Sequence, residues 1–251
     1  MKLVVHVSHL NWSVEPAGLA DALVDVAALA EEGGFDGVAV ADHLWQHPMM
    51  GGPEANCLEA YTTLAFLAAH SRSLRLLTLA TGVHFRHPAL LAKTVTTLDV
   101  LSGGRAWLGI GAAWNLEEAR SLGIPFPELP DRFRLLEDTL KMARQAWHGE
   151  RDSGPFEGRV VKAERIMLSP QQISKPRIPI LVGGGGERTT LRLVARYADA
   201  CNVFGAPDML EHKYEVLRRQ CDAVGRDYDS IEKTNLSTIS ITPDGKQGSL
   251  T

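Results

Sequence analysis

Short apolar runs rich in β-branched residues alternate with longer stretches whose apolar positions recur every three to four residues, and this alternation runs through most of the chain. Such a pattern predicts parallel strands, buried on both faces, each followed by an amphipathic helix. Strands are predicted at Leu3–Val7, Gly37–Ala41, Leu74–Ala80, Arg105–Ile110, Ile180–Val182, Ala200–Phe204 and Asn235–Ile241. Helices are predicted between them, at Gly18–Glu32, Leu58–His70, Pro88–Leu101, Asp131–Trp147, Glu187–Tyr197 and Met209–Val224. His87-Pro88 opens the third of these with a proline suited to a first helical turn.

The expected fold class is therefore α/β, a TIM (β/α)8-type barrel read as a single domain over residues 1–251. The stretch Gly149–Pro179 breaks the rhythm with a hairpin-like excursion, which fits an insertion after the fourth βα unit. Seven strands are readable where a closed barrel needs eight, so a C-terminal βα unit is expected to be missing or supplied from elsewhere.

Unusual residues collect at the downstream ends of the strands. "ADHLW" with Asp42 and His43 follows the second, "TGVHFRHP" the third, "GAAWN" the fourth, and the run Gly183–Gly186 the fifth. In a βα barrel that rim carries the active site. Asp42 is equally readable as a cap, and His43 as a satisfied core histidine. Four glycines exceed what a strand-to-helix turn needs and favour a phosphate cradled by backbone N–H groups. Arg188 stands where a GxGxxG motif wants its last glycine, so a Rossmann reading is weak. "SGGR" at Ser102–Arg105 precedes a strand, lies on the opposite rim and reads as structural.

Composition narrows the functional classes. A net charge of −4 with scattered Lys and Arg gives no nucleic-acid footprint. The apolar part of "MKLVVHVSHLNW" is too short for a signal peptide or a membrane span. Cys57, Cys201 and Cys221 have neither metal-ligand spacing nor an even number for disulfides, which points to a cytoplasmic protein. No GxSxG, HExxH or P-loop is present. His6, His9, Asp42 and His43 raise a metal-assisted hydrolase as one alternative, although His6 and His9 lie on opposite faces of an extended strand.

Taken together, "GFDGVAVADH", "LATGVHFRHPALLAKTVTTLDVLSGGRAWLGIGAAWN", "LGIPFPELPDRF" and "PILVGGGGERTTLRLVARYADACNVFG" resemble the luciferase-like monooxygenase superfamily, and within it the oxidoreductases that use the deazaflavin coenzyme F420. The resemblance covers most of residues 1–205. It implies an F420-dependent oxidoreductase that moves hydride between the coenzyme and an unidentified organic substrate, forms a homodimer and holds no metal.

By the same resemblance, Gly183, Gly184, Gly185 and Gly186 present N–H groups to the cofactor's phosphate, with Glu187 and Arg188 opening the helix. Asp42 accepts a hydrogen bond from the flavin-like part, and His43 is the expected catalytic residue, a proton donor beside the substrate. Thr81, Gly82 and Val83 match a place where the family often carries a non-prolyl cis peptide, expected between Gly82 and Val83, which presses Val83 against the ring. Ala112, Trp114 and Asn115 complete the cofactor-binding set. Trp114 stands where the sugar-phosphate dehydrogenases of the superfamily carry an acidic residue, which argues against that reaction and for an apolar or planar substrate, or for a lid. Arg86, Lys93, Arg188 and Arg192 are candidates for a basic path along the acidic tail of F420. An FMN-dependent monooxygenase of the same superfamily is the nearest alternative, and a non-catalytic homologue serving as a binding subunit is another.

Overall fold

A computed structural model describes residues 1–238, in which strands and helices alternate as the periodicity predicts. In chain order these are β1 (Val4–Val7), α1 (Leu19–Glu32), β2 (Gly37–Val40), α2 (Ala60–His70), β3 (Arg75–Thr78), β4 (Thr81–Gly82), α3 (Pro88–Leu101), β5 (Ala106–Gly111), α4 (Leu116–Ser121) and α5 (Leu129–Ala146). They continue with β6 (Phe156–Glu157), β7 (Lys162–Ala163), β8 (Ile180–Gly183), α6 (Thr190–Tyr197), β9 (Ala200–Asn202), α7 (Pro207–Val224) and β10 (Glu232–Thr234). The chain divides into two compact units, Met1–Ile180 and Leu181–Thr251.

In the first unit β1, β2, β3 and β5 pair side by side, all parallel, with β4 continuing beside β5. The longer helices present an apolar stripe to the interior, as Leu19, Leu23, Ala27 and Ala30 do along α1. Parallel strands covered by helices carry no polar face, and β2 is buried at every position. Trp147 is fully buried and donates from its indole nitrogen to the Thr96 hydroxyl of α3 at 2.8 Å. Arg105 behaves as the structural residue the sequence indicates. Its guanidinium donates to the carbonyls of Ala68, Ser71 and Leu74 and closes the C-terminal end of α2.

The excursion before β8 contains an antiparallel hairpin, β6 with β7. Asp138, fully buried on α5, fastens it by accepting the amides of Val160 and Val161 at 2.7 and 3.1 Å.

The second unit pairs β8, β9 and β10 in parallel, with α6 and α7 packed together. Here the predicted strand Asn235–Ile241 is corrected: the ladder runs through Glu232–Thr234, because Cys201 and Asn202 of β9 pair with Lys233 and Thr234. Residues 239–241 of that prediction lie outside the described residues. No helix among the described residues is long and apolar enough to cross a membrane.

Candidate functional site

Within the first unit, the downstream ends of β2, β4 and β5 carry the residues singled out above. His43 follows β2, and its Nδ1 lies 2.7 Å from Oε2 of Glu118, a carboxylate with no solvent exposure. Oε1 of the same carboxylate accepts the Leu44 amide at 2.5 Å. Burial raises the Glu118 pKa, but the hydrogen bonds from His43 and from the Leu44 amide outweigh it and hold the group below the usual carboxylate range.

Asn115 is the N-cap of α4: its Oδ1 accepts the Glu118 amide at 3.2 Å, while its Nδ2 donates to Oε2 of Glu118. Trp114, 60% exposed, packs edge-on against both His43 and His47, with ring centroids at 5.7 and 5.0 Å. Ala112 contributes its carbonyl, which accepts from Nε of Arg132 at 2.8 Å.

Asp42 is held by a guanidinium. Arg86 donates to both of its oxygens, at 2.6 and 3.0 Å, and to Glu59 at 2.5 Å, while its charge lies 4.7 Å above the Tyr61 ring. Arg86 therefore faces inward between two carboxylates, which corrects its placement on a basic tail path. Lys93 is likewise engaged, donating to the Ser169 carbonyl at 2.8 Å.

Behind this pair runs a buried hydroxyl chain in which Tyr61 meets Thr81 at 2.8 Å, Thr81 meets Thr78 at 3.0 Å, and Thr78 donates to the Gly109 carbonyl at 2.7 Å. The cis peptide expected at Gly82–Val83 is found instead between Leu79 and Ala80. The reason is the ladder: Gly82 pairs with Gly111, and the Val83 amide donates to the Gly111 carbonyl at 3.0 Å, so the irregular bond falls in the break between β3 and β4. Val83 is buried.

Two histidines beside this cluster have buried nitrogens without a partner: Nε2 of His6 and both ring nitrogens of His84. Burial pushes the pKa of each down to about 4. For His6 the Leu79 backbone opposes that shift, and nearby His43 and His9 add to it. For His84 the Glu118 carboxylate opposes it, and Arg132 and His43 add to it.

An unfolded chain takes up these protons near 6.5 and the native fold only near 4, so native stability is whole above pH 6.5 and is lost as pH falls through that window. Urea midpoints measured from pH 7 to pH 4 are expected to fall, and His6→Gln to remove up to about one proton from the slope. An unchanged slope in that variant would contradict the assignment.

The apolar groove lined by Pro16, Leu19, Leu23, Leu58 and Phe66 lies between α1 and α2 and touches neither His43 nor Glu118. Among the described residues, no group of three or more His, Cys, Asp or Glu side chains is placed to hold a metal.

In the second unit the glycine run ends β8. Gly184 has φ +117°, a conformation that an L side chain rarely adopts, and a Cβ at Gly186 would meet Oγ1 of Thr190 at 2.9 Å. Gly185 has only ordinary contacts. α6 begins at Thr190, so Glu187 and Arg188 precede the helix and do not open it. Glu187 is drawn toward α7 instead, accepting from Lys213 at 2.6 Å and bonding His212 at 3.1 Å. Arg188 is exposed, and Nε of Arg192 is buried without a partner.

The sequence reading missed Glu118 and the inward role of Arg86. Glu118 had a local signal, since Asn115 followed three residues later by Glu118 is a capping pattern, but its bond to His43 spans 75 residues.

Comparison with known proteins bears on the fold and the family. The F420-dependent glucose-6-phosphate dehydrogenase of Microbacterium testaceum (strain StLB037) is 33% identical over 230 residues, covering 88% of this chain and 65% of that protein. The chain thus spans about two thirds of the length of that curated relative. The coenzyme F420-dependent tetrahydromethanopterin reductase of Methanopyrus kandleri superposes with a TM-score of 0.79 at 20% identity, covering 96% of this chain and 67% of that one. A riboflavin lyase solved with modified FMN and riboflavin gives 0.81 at 18% identity, covering 96% and 63%. These likenesses give the fold as the TIM-barrel type. With residues 1–247 matching the family's own sequence profile, the chain belongs to the luciferase-like monooxygenase family.

Proposed function

We propose that this chain is an F420-dependent oxidoreductase acting on an organic small molecule. The observation that carries the reading is the His43–Glu118 pair beside exposed Trp114 at the ends of β2 and β5, in a chain whose relative from Microbacterium is named for F420. Three unpartnered ring nitrogens on His6 and His84 fit a polar heterocycle, whose carbonyl and N–H groups would satisfy them. When bound, the deazaflavin supplies the hydride chemistry, and the protein supplies orientation and proton handling.

In this reading His43 exchanges a proton with substrate. Asp42, Thr81, Gly82, Val83, Ala112 and Trp114 hold the cofactor from the first unit, and Asn115, whose amide is engaged at both ends by Glu118, contributes by holding that carboxylate. Asp42 can still accept a further hydrogen bond, since each carboxylate oxygen has two lone pairs. The glycine run Gly183–Gly186, with Glu187 and Arg188, is read as a phosphate site of the second unit offered by backbone N–H groups other than that of Gly184, which already donates to the Asn202 carbonyl at 2.9 Å. An exposed aromatic at Trp114 favours a substrate with an apolar or planar face. The reading carries with it a cytoplasmic location, a single domain and a homodimer, the last tested by light scattering.

Fluorescence titration with F420 and separately with FMN tests the cofactor, the expected result being tighter binding of F420. The second reading is an FMN-dependent monooxygenase, in keeping with the description of the family as luciferase-like monooxygenases, and the reverse preference would favour it. His43→Ala is expected to lower kcat by about 10²-fold or more while the F420 dissociation constant changes little. Equal loss of binding and turnover would remove His43 from the proton-transfer role.

A further inference from the structure

We infer that Glu118 is a positioning residue that keeps the proton of His43 on Nδ1, so that Nε2 is the atom exchanging a proton at the site. This rests on the reading of His43 as the acid–base group. The inference follows from counting donors.

Four groups converge on the Glu118 carboxylate: the Leu44 amide at 2.5 Å, the Trp45 backbone, the Asn115 Nδ2 at 3.2 Å and the His43 Nδ1 at 2.7 Å. A backbone N–H can only donate. The Asn115 amide has its orientation fixed as well, because its Oδ1 already accepts the Glu118 backbone N–H at 3.2 Å. Both carboxylate oxygens are thus occupied as acceptors, and the side chain has no solvent exposure through which to find another partner. Those donors hold the group below the usual carboxylate range, so it is ionised at neutral pH and has no proton to give, and its contact with the ring requires Nδ1–H. The neutral imidazole then carries its lone pair on Nε2.

The same carboxylate grips one residue from two sides, since its oxygens reach the ring of His43 and the amide of the next residue, Leu44. That two-point hold fixes ring orientation as well as tautomer, which is how a carboxylate partner serves a proton-transferring histidine. The hold originates in α4. Asn115 caps the helix, and the cap turns Glu118, three residues on, back toward the end of β2. His6, His84 and the Trp114 ring are the other groups that face His43.

The test is a two-bond ¹⁵N–¹H correlation spectrum of the histidine rings in the full ¹⁵N-labelled chain at pH 8 without cofactor, with His43 assigned by its disappearance in His43→Gln. The Nδ1–H pattern is expected for His43. Leu44 and His43 meet different oxygens of the carboxylate, so in Glu118→Gln the carbonyl stays with the Leu44 amide, which can only donate, and the new NH2 group donates to Nδ1. The His43 pattern is therefore expected to move toward Nε2–H, and Glu118→Asp to restore Nδ1–H. With F420 and a reacting substrate, Glu118→Gln should lower kcat about tenfold or more, with KM and cofactor affinity nearly unchanged.

An Nε2–H pattern in the unmodified chain overturns the inference, and that spectrum decides even where the variant fails to fold. So does an unchanged His43 pattern in folded Glu118→Gln. Because the spectrum is read without cofactor, failure to bind F420 would remove the proposed activity and leave the tautomer assignment standing.

Discussion

Replacing Gly109 by alanine is expected to destabilise the first unit by more than about 3 kcal/mol, toward the upper end of what overpacking costs. A Cβ at that position would lie 1.8 Å from the carbonyl oxygen of Thr78 and 2.9 Å from its carbon. Both are backbone atoms of the neighbouring strand, so no rotamer change relieves the overlap. β3 and β5 would have to separate where Leu76 and Leu77 pair with Ala106 and Trp107. Thr78 is fully buried, and its hydroxyl donates to the Gly109 carbonyl, so separation also unmakes the hydroxyl chain through Thr81 and Tyr61. For a chain of this size the loss corresponds to a fall in Tm of roughly 6–12 °C. Gly18→Ala is the control: φ there is −90° and the nearest contact is an ordinary 3.5 Å, so its Tm should stay within about 2 °C. A Gly109→Ala protein that melts with the control would show that the two strands can part at little cost.

That close approach is invisible in the sequence, where Gly109 reads as one small residue in an apolar run. What the sequence does carry is periodicity. The apolar stripes of α1, α3, α5 and α7 stand out because each helix covers a sheet with one face, and their ends fall within a few residues of expectation. α4 escapes notice because six residues of "LEEARS" are too short to show a stripe, leaving only its cap as a signal. The last strand lies elsewhere than its pattern indicates because "NLSTISI" alternates like a strand, whereas pairing with β9 selects the three residues before it.

The candidate site was legible as a set of positions and not as a set of partnerships. Asp42, His43, Trp114 and Asn115 each announced themselves at a strand end. Glu118 and Arg86 acquire their roles only from contacts across 75 and 44 residues, which no local pattern encodes. Asn115, expected at the cofactor, has both ends of its amide engaged by α4, so its contribution to the site runs through Glu118.

Arg86→Met is expected to cost about 3–5 kcal/mol, because it leaves a buried carboxylate without its counter-charge. The Asp42 side chain has no solvent exposure, and both its oxygens accept from Arg86. Burial lowers the Arg86 pKa, but the hydrogen bonds and charge of Asp42 more than offset it and hold the group above its usual range, so the guanidinium stays charged as that carboxylate requires. Glu59 contributes less, since its side chain is 38% exposed and water screens its share. Urea unfolding of the single variants and of Arg86→Met with Asp42→Asn measures the coupling. The double variant should recover a large part of the loss, because an amide needs no counter-charge; a double variant no more stable than Arg86→Met would trace the loss to missing packing against Tyr61 instead. The same series separates two roles of Asp42. If its carboxylate also accepts a hydrogen bond from F420, Asp42→Asn weakens coenzyme binding even where the double variant is stable; if its only partner is Arg86, binding follows stability and returns with it.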